Sequence, residues 1–154
     1  PSRRLIDGVS ILAYRTQLQF HAPWVTELLC YGGYSETIDW LTDDWVRGLR
    51  SLRLGRVTIG QNQGEGSIHP DFFRILALET ETFANMETFS LWGCPISEGA
   101  FQPLLAEFPC SIVNLDLSET QLSQDHLIRL LHSPMMTNVE QLTLSTSRLT
   151  DRFC

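Results

Sequence analysis

The feature that most constrains the fold is a spacing of apolar residues that occurs four times along the chain. Its clearest copy is the stretch 112–122, IVNLDLSETQL, in which Thr120 is a small polar residue between apolar ones. The apolar positions of this copy are Ile112, Leu115, Leu117 and Leu122. The four copies begin at positions 49, 86, 112 and 139, so that the intervals are 37, 26 and 27 residues. Two nearly equal intervals predict a chain built from similar units.

Each copy predicts a short β-strand with one buried face. Leu115 and Leu117 alternate with polar residues, and a period of two is typical of a strand that is buried on one side. One strand and one helix are too small to bury their own apolar faces, whereas units stacked in register bury them continuously. Parallel strands need a crossover, which a helix supplies. We therefore expect an α/β solenoid with a parallel sheet on its concave side and helices on its convex side.

The spacing L-x-x-L-x-L-x-x-(N/C)-x-L resembles the leucine-rich repeat. The copy METFSLWGCPI carries Cys94 at the small-residue position and is similar to cysteine-containing and ribonuclease-inhibitor-like repeats. The order TIDWLTDD, LRSLRL, METFSLWGC, LSQDHLIRLL and VEQLTL also resembles F-box-associated domains of nematode F-box proteins and the repeats of tumour-antigen proteins that serve cullin ligases. This resemblance implies a leucine-rich-repeat solenoid that recognises substrates for a cullin-type ubiquitin ligase.

The chain divides into two parts by this pattern. Residues 1–34 are interpreted as a degenerate N-terminal repeat or cap, with Leu18 and Phe20 in a strand and Val25 closing the unit. Residues 35–154 are interpreted as a solenoid fragment. The glycine-rich stretch 60–67, GQNQGEGS, has no apolar anchor and accounts for the long first interval, so it is predicted to be an insertion.

Helices are predicted between the strands. Ser35 is a candidate N-cap for a helix that reaches Leu49, and Ser97 and Ser123 are candidate caps for later helices. Pro70 suits the first turn of another helix. The predicted apolar face of that helix is Phe72, Phe73, Leu76 and Leu78. Pro103 does not suit a helix interior, so the helix after Ser97 either starts late or has an irregular first turn.

Composition narrows the choice of partners and of compartment. The net charge of −7 argues against nucleic acid and against an anionic membrane. No apolar run reaches the ~20 residues of a membrane span, and the N-terminus lacks the apolar core of a signal peptide. The four cysteines form no C-x-x-C or zinc spacing, which favours free thiols in the cytoplasm or nucleus over a disulfide or a metal site. No cofactor and no metal are expected.

Catalysis has weak support in the sequence. The candidate groups are His126 and His132 with Asp125, or His69 with Glu65. His126 and Asp125 are adjacent in sequence and would point to different sides of a helix. The chain has no G-x-S-x-G, no P-loop and no H-E-x-x-H. We therefore expect a protein that is not an enzyme.

The outward positions of the predicted strands are the candidate binding surface. The residues predicted to contact a partner there are Arg53, Arg56, Ser90, Trp92, Asp116, Glu119 and Thr143. An outward Trp92 is a plausible anchor for a partner protein, although its ring could instead fold over a neighbouring repeat. The alternative function is a structural scaffold segment of a larger repeat protein with no ligase link. The last strand has no following unit in this sequence, so self-association through an open repeat end is also expected.

Overall fold

The computed structural model describes residues 2–7, 25–31, 34–35, 42–56, 58–59, 68–78, 83–107 and 111–145. Six strands of these residues form one sheet: β1 (Ser2–Asp7), β2 (Val25–Tyr31), β4 (Ser51–Gly55), β6 (Thr88–Ser90), β7 (Asn114–Asp116) and β8 (Gln141–Thr143). Two short strands pair separately: β3 (Tyr34–Ser35) and β5 (Thr58–Ile59). The α-helices are α1 (Pro70–Leu78), α2 (Glu98–Glu107) and α3 (Gln124–Leu131). The 3-10 helices are Asp44–Gly48 and Pro134–Asn138.

The large sheet is parallel throughout, and its strands lie in the order in which they occur along the chain. The second apolar position of each predicted copy pairs laterally with that of the next. The resulting row is Leu52, Phe89, Leu115 and Leu142. On the other side of Leu52 the row continues to Leu28 of β2. The predicted α/β class and the predicted alignment of these four strands are therefore confirmed.

The core lies between one face of the sheet and the helices. The third apolar positions of the first three copies, Leu54, Leu91 and Leu117, are fully buried, and that of the fourth, Leu144, is partly buried. On the helix side, the Phe72 ring of α1 stacks on Phe89 of β6 with 6.4 Å between ring centroids. Each such side chain contributes roughly 1.5–3 kcal/mol by leaving water, so the alternation of apolar residues fixes which face of the sheet is covered.

A tight turn precedes three of the strands and has the same hydrogen bond each time. The N–H of Leu49 donates to Val46 at 3.0 Å, that of Met86 to Phe83 at 3.0 Å, and that of Val139 to Met136 at 3.2 Å. The residue at each strand entry thus leaves a short helical turn and continues as extended chain. The first apolar residue of the copy is fully buried at Leu49 and Met86 and partly buried at Val139.

The prediction of a helix from Ser35 to Leu49 is wrong at both ends, because neither residue is helical in the structure. Leu49 is extended (φ −71°, ψ 127°), because the next residue already donates to the sheet through Arg50 N–H to the Thr26 carbonyl at 2.8 Å. The helical part is the 3-10 turn Asp44–Gly48. Ser35 pairs with Ile59 in the small sheet, and residues 36–41 lie outside the described residues.

The N-terminal part also joins the sheet in a different register from the one predicted. Val25 begins β2 and does not close a unit, and the buried residues of β2 are Leu28 and Cys30. The predicted strand residues Leu18 and Phe20 lie outside the described residues, as does the predicted insertion 60–67. β1 and β2 extend the same sheet as the later strands, so the part before residue 35 packs with the part after it.

The helices follow the sequence signals with two exceptions. The side chain of Ser97 accepts a hydrogen bond from Ala100 N–H (3.3 Å), and that of Ser123 accepts one from His126 N–H (3.2 Å), which confirms both predicted caps. Pro103 nevertheless lies inside a helix that begins at Glu98, and the burial of its ring offsets part of the lost hydrogen bond. Leu78 is 80% exposed, because helical geometry turns it away from the buried face of α1.

Candidate functional site

Four of the seven predicted contact residues come together on the face of the sheet opposite the helices. Arg53 pairs laterally with Ser90, Ser90 with Asp116, and Asp116 with Thr143, so one row crosses four strands. The row lines a groove of about 280 Å³. This polar groove is lined by Arg53, Thr88, Phe89, Ser90, Asn114, Leu115, Asp116, Gln141 and Thr143. The predicted outward row is therefore a single surface.

Asp116 is held in a fixed orientation within the polar groove. One carboxylate oxygen accepts a hydrogen bond from the Ser90 hydroxyl at 3.1 Å, and the other accepts one from the Ser118 backbone N–H at 2.9 Å. Ser90 is only 6% exposed. It therefore orients Asp116 and offers a partner little surface of its own, and the contact role of Ser90 stays a prediction.

Arg53 differs from the other arginines of the described part of the chain. Its closest polar contact is Nε to the Ser51 hydroxyl at 3.4 Å, and no described carboxylate pairs with it. The other arginines with described side chains all lie within 4 Å of a carboxylate: Arg47 with Asp44, Arg50 with Glu87, Arg56 with Glu119, Arg74 with Asp71 and Arg129 with Glu98. Arg53 thus presents a guanidinium with free donors to the groove.

Trp92 lies beyond the polar groove, at the C-terminal ends of the strands. Its half-buried ring stacks on Tyr31 with 5.5 Å between centroids and 20° between planes. The two rings meet over Gly55, where a Cβ would lie 2.8 Å from Tyr31 and 3.2 Å from Trp92. Trp92 therefore folds over a neighbouring strand, which was the alternative to an outward anchor.

Arg56 and Glu119 meet across a second glycine in the same region. The guanidinium of Arg56 lies 4.9 Å from the Trp92 ring centroid and 3.5 Å from the Glu119 carboxylate. Gly93 lies between them and has φ +65°, and a Cβ there would be 2.8 Å from Arg56 Cγ. Tyr31, Arg56, Trp92 and Glu119 form a ring–ion cluster whose members interact with one another.

The small-residue positions of the copies have the structural role that their spacing predicts. The thiol of Cys94 lies 3.5 Å from the Leu54 carbonyl, and the hydroxyl of Thr120 donates to the Leu117 carbonyl at 2.7 Å. Both side chains are buried. Burial raises the pKa of the Cys30 thiol to about 12, so that this group stays protonated and unreactive as a nucleophile.

The histidines considered for catalysis lie at helix ends. His126 uses both ring nitrogens: Nδ1 accepts from Ser123 N–H at 3.3 Å, and Nε2 lies 2.5 Å from Glu98. His132 bonds the Ile128 carbonyl at 2.8 Å. His69 accepts from Asp71 N–H at 3.1 Å at the start of α1, and its predicted partner Glu65 lies outside the described residues. These contacts cap helices.

A charged network on the helix side includes the same histidine. Glu98 accepts hydrogen bonds from His126, from Arg129 (3.1 Å) and from Gln102 (3.2 Å). These bonds, with that of His126 the strongest, lower the pKa of Glu98 to about 2. Glu98 is therefore ionised at neutral pH and ties α3 to the first turn of α2, where the helix dipole also favours a negative charge.

The sequence reasoning missed the three other polar residues of the groove. Thr88, Asn114 and Gln141 each precede an inward apolar residue, so the same alternation that identified the outward row also places them on the outer face. These three residues could therefore have been predicted from the repeated spacing. Tyr31 had no such signal, because the buried residues of β2 follow no recognisable copy of the spacing.

Comparisons of the chain with family models, with curated proteins and with solved structures each found no match. No three His, Cys, Asp or Glu side chains within the described residues are grouped so as to hold a metal ion. None of the helices in the described part of the chain is long and apolar enough to cross a membrane. Function is therefore inferred from the geometry of the sheet face.

Proposed function

We propose that the chain is a leucine-rich-repeat solenoid whose polar groove binds another protein. Three observations support the solenoid: the strand order, the recurring turn before the strands, and the positive φ shared by Arg56 (51°), Gly93 (65°) and Glu119 (58°). These three residues hold the same position relative to β4, β6 and β7. Stacked units of this kind present rows of side chains on one extended surface, and such surfaces serve as binding faces.

The observation that carries the binding proposal is the polar groove itself. It crosses four strands in register, and three of its side chains carry hydrogen-bonding groups that no described residue pairs with. Arg53 lacks a carboxylate, and the side chains of Gln141 and Thr143 make no hydrogen bond with the described residues. Polar groups that are placed by a rigid sheet and left unpaired can bind a partner without first breaking internal bonds.

A substitution that fills the groove tests this proposal. Thr143 is exposed on β8, so Thr143→Arg places a long side chain in the groove without disturbing the core. Gln124→Arg adds the same side chain at an exposed position on α3 and is the matched control. We expect ligands selected on the wild-type chain to lose binding to Thr143→Arg and to keep it to Gln124→Arg. Ligands that bind all three proteins equally would contradict the proposal.

The ligase role is the more specific form of this proposal, and its support is the resemblance of the spacing to the repeats of F-box and cullin-adaptor proteins. In this role the polar groove recognises the protein that is to be ubiquitinated. The test is made in cells, with a protein that the wild type captures and Thr143→Arg does not. Its ubiquitination should fall when the chain is deleted, and restoring the Thr143→Arg variant should not rescue it. Unchanged ubiquitination would leave a binding module without a ligase link.

A scaffold segment is the second candidate, and exposed apolar residues on the helix side favour it. Leu131 is 52% exposed and Ile128 43% exposed, both on α3. Residues of this kind pack against other parts of a larger protein when they form a contact surface. Under this proposal, Leu131→Lys weakens association with flanking domains while Thr143→Arg has no effect. The opposite result favours the polar groove.

A further inference from the structure

We infer that the polar groove binds an extended segment of the partner that carries a carboxylate side chain and, about three residues along, a lysine or arginine. This inference rests on the proposed function, because it names the chemistry that the same groove would recognise. Arg53 receives the carboxylate, and Asp116 receives the cation.

Arg53 is suited to a carboxylate because only its Nε has a described hydrogen-bond partner, the Ser51 hydroxyl, and the two terminal nitrogens of its guanidinium contact no described acceptor. The arginines on either side of it in sequence, Arg50 and Arg56, have carboxylates at 3.3 and 3.5 Å. Arg53 faces the groove from the central residue of β4. A planar guanidinium pairs with a carboxylate through two parallel hydrogen bonds, so an acidic side chain is the ligand that best satisfies it.

Asp116 is suited to a cation because both of its oxygens are already oriented. Its bonds from the Ser90 hydroxyl (3.1 Å) and the Ser118 N–H (2.9 Å) use one lone pair on each oxygen. A carboxylate can accept about four hydrogen bonds. The remaining lone pairs can receive an ammonium or guanidinium without any rearrangement of the site.

The two charges also have a definite separation. Ser90 lies between them in the row, so Arg53 and Asp116 are two strands apart. With about 4.8 Å between strands, their backbones are separated by roughly 9.5 Å. A polyproline-like segment rises about 3.1 Å per residue and repeats its faces every three residues, so positions i and i+3 are about 9.3 Å apart on one side. A segment that crosses the strands can therefore engage both charges.

The rest of the groove suits an extended backbone. Asn114 donates through its amide nitrogen to the Thr88 hydroxyl at 3.4 Å, which leaves its carbonyl oxygen available. The Gln141 amide is exposed and makes no hydrogen bond with the described residues. The N–H and C=O groups of an extended segment need such partners when they leave water. Two side-chain amides beside the charges provide them.

A carboxylate is favoured over a phosphate by the charges nearby. A phosphate group carries about −1.5 to −2 at neutral pH, and it would lie in a groove that already contains Asp116 on a chain of net charge −7. The described groove offers Arg53 as its one cation, whereas phosphate sites commonly use several basic groups. A single guanidinium matches a single carboxylate.

The experiment is a selection of random short peptides displayed on phage, with the full chain as bait. The pool is then measured against Arg53→Glu, Thr143→Arg and the control Arg74→Glu, which makes the same charge change on α1. We expect enriched peptides to carry Asp or Glu three residues from Lys or Arg. Their affinity should fall at least about tenfold in Arg53→Glu and stay unchanged in Arg74→Glu. Replacing the peptide's acid by Lys should restore part of the affinity for Arg53→Glu.

Failures of this inference and of the proposed function give different results. Peptides that lose binding to Thr143→Arg but not to Arg53→Glu would show a groove that binds without the acid, and would overturn this inference alone. A pool that requires phosphorylation of the peptide would also overturn it. Peptides that ignore Thr143→Arg, or a selection in which no peptide is enriched over that variant, would overturn both.

Discussion

The polar groove lies on β4, β6, β7 and β8, the ring–ion cluster lies at the C-terminal ends of β2, β4, β6 and β7, and the two regions differ in what their side chains contact. In the ring–ion cluster, Trp92 stacks on Tyr31 and Arg56 pairs with Glu119. In the polar groove, Arg53 has no carboxylate partner among the described residues. One region is closed by internal contacts, and the other is open to a ligand.

The difference follows from two glycines. Gly55 leaves room for the rings of Tyr31 and Trp92 to meet above it, and Gly93 leaves room for Arg56 to reach across a strand. The groove row contains no glycine, so each of its side chains stands between its neighbours on adjacent strands. Glycines on an outward face thus convert exposed side chains into structural ones.

The largest effect on stability is expected for a core residue that lies beneath the outer face of the sheet. Leu117 is fully buried under the face, so Leu117→Ala should lower the free energy of unfolding by roughly 2–5 kcal/mol through lost burial and a cavity. Leu117→Asp should prevent folding, because it buries an unpaired carboxylate. Chemical denaturation followed by circular dichroism measures both variants. A cooperative transition in Leu117→Asp would contradict the strand frame on which both regions depend.

The next largest effect is expected for Trp92→Ala, which should lower the stability of the protein. It removes the stacking on Tyr31 and the contact with Arg56, which together are worth about 1–3 kcal/mol. Trp92→Phe keeps an aromatic ring and should lose less. Peptide affinity at the polar groove should stay unchanged in both variants. A variant that melts like the wild type but no longer binds would instead make Trp92 a contact residue.

Gly93→Ala tests the ring–ion cluster, and it should lower the free energy of unfolding by about 1–2 kcal/mol. A residue with a Cβ is strained at φ +65°, and the new Cβ would also displace Arg56. Gly99→Ala, at an exposed position in the first turn of α2, is the control and should stabilise the protein by roughly 0.5–1 kcal/mol. Thermal melts of the two variants should therefore shift in opposite directions. Equal shifts would show that Gly93 has no special conformational role.

Much of the fold could be predicted because burial follows a period of two. The alternation around Leu115 and Leu117 identified four strands and their register. It failed at β2, where Leu28, Leu29 and Cys30 are consecutive apolar residues and no alternation marks the buried side. At Leu49, helical spacing and strand spacing coincide, and the sheet hydrogen bond of the next residue decides between them.

The site was predicted as a row but not as two regions. The repeated spacing places Arg53, Asp116 and Thr143 on the outer face of the sheet. The structure has them in one row, because this placement depends only on the alternation of residues along a strand. Whether Trp92 binds a partner or a neighbour depends on Tyr31, whose position is set by the register of β2. Lateral contacts between distant segments carry no local sequence signal.

The most direct test of the account compares two arginines, three residues apart in sequence, that belong to different regions. We predict that Arg53→Gln changes the free energy of unfolding by less than about 0.5 kcal/mol and weakens binding of the selected peptides at least about tenfold. Arg56→Gln should lower the free energy of unfolding by about 0.5–1.5 kcal/mol, since an exposed ion pair and a ring contact are lost, and should leave peptide affinity unchanged. Denaturation and fluorescence polarisation on the two variants measure both quantities. If the two variants change stability and affinity alike, the face is not divided into a closed region and an open one.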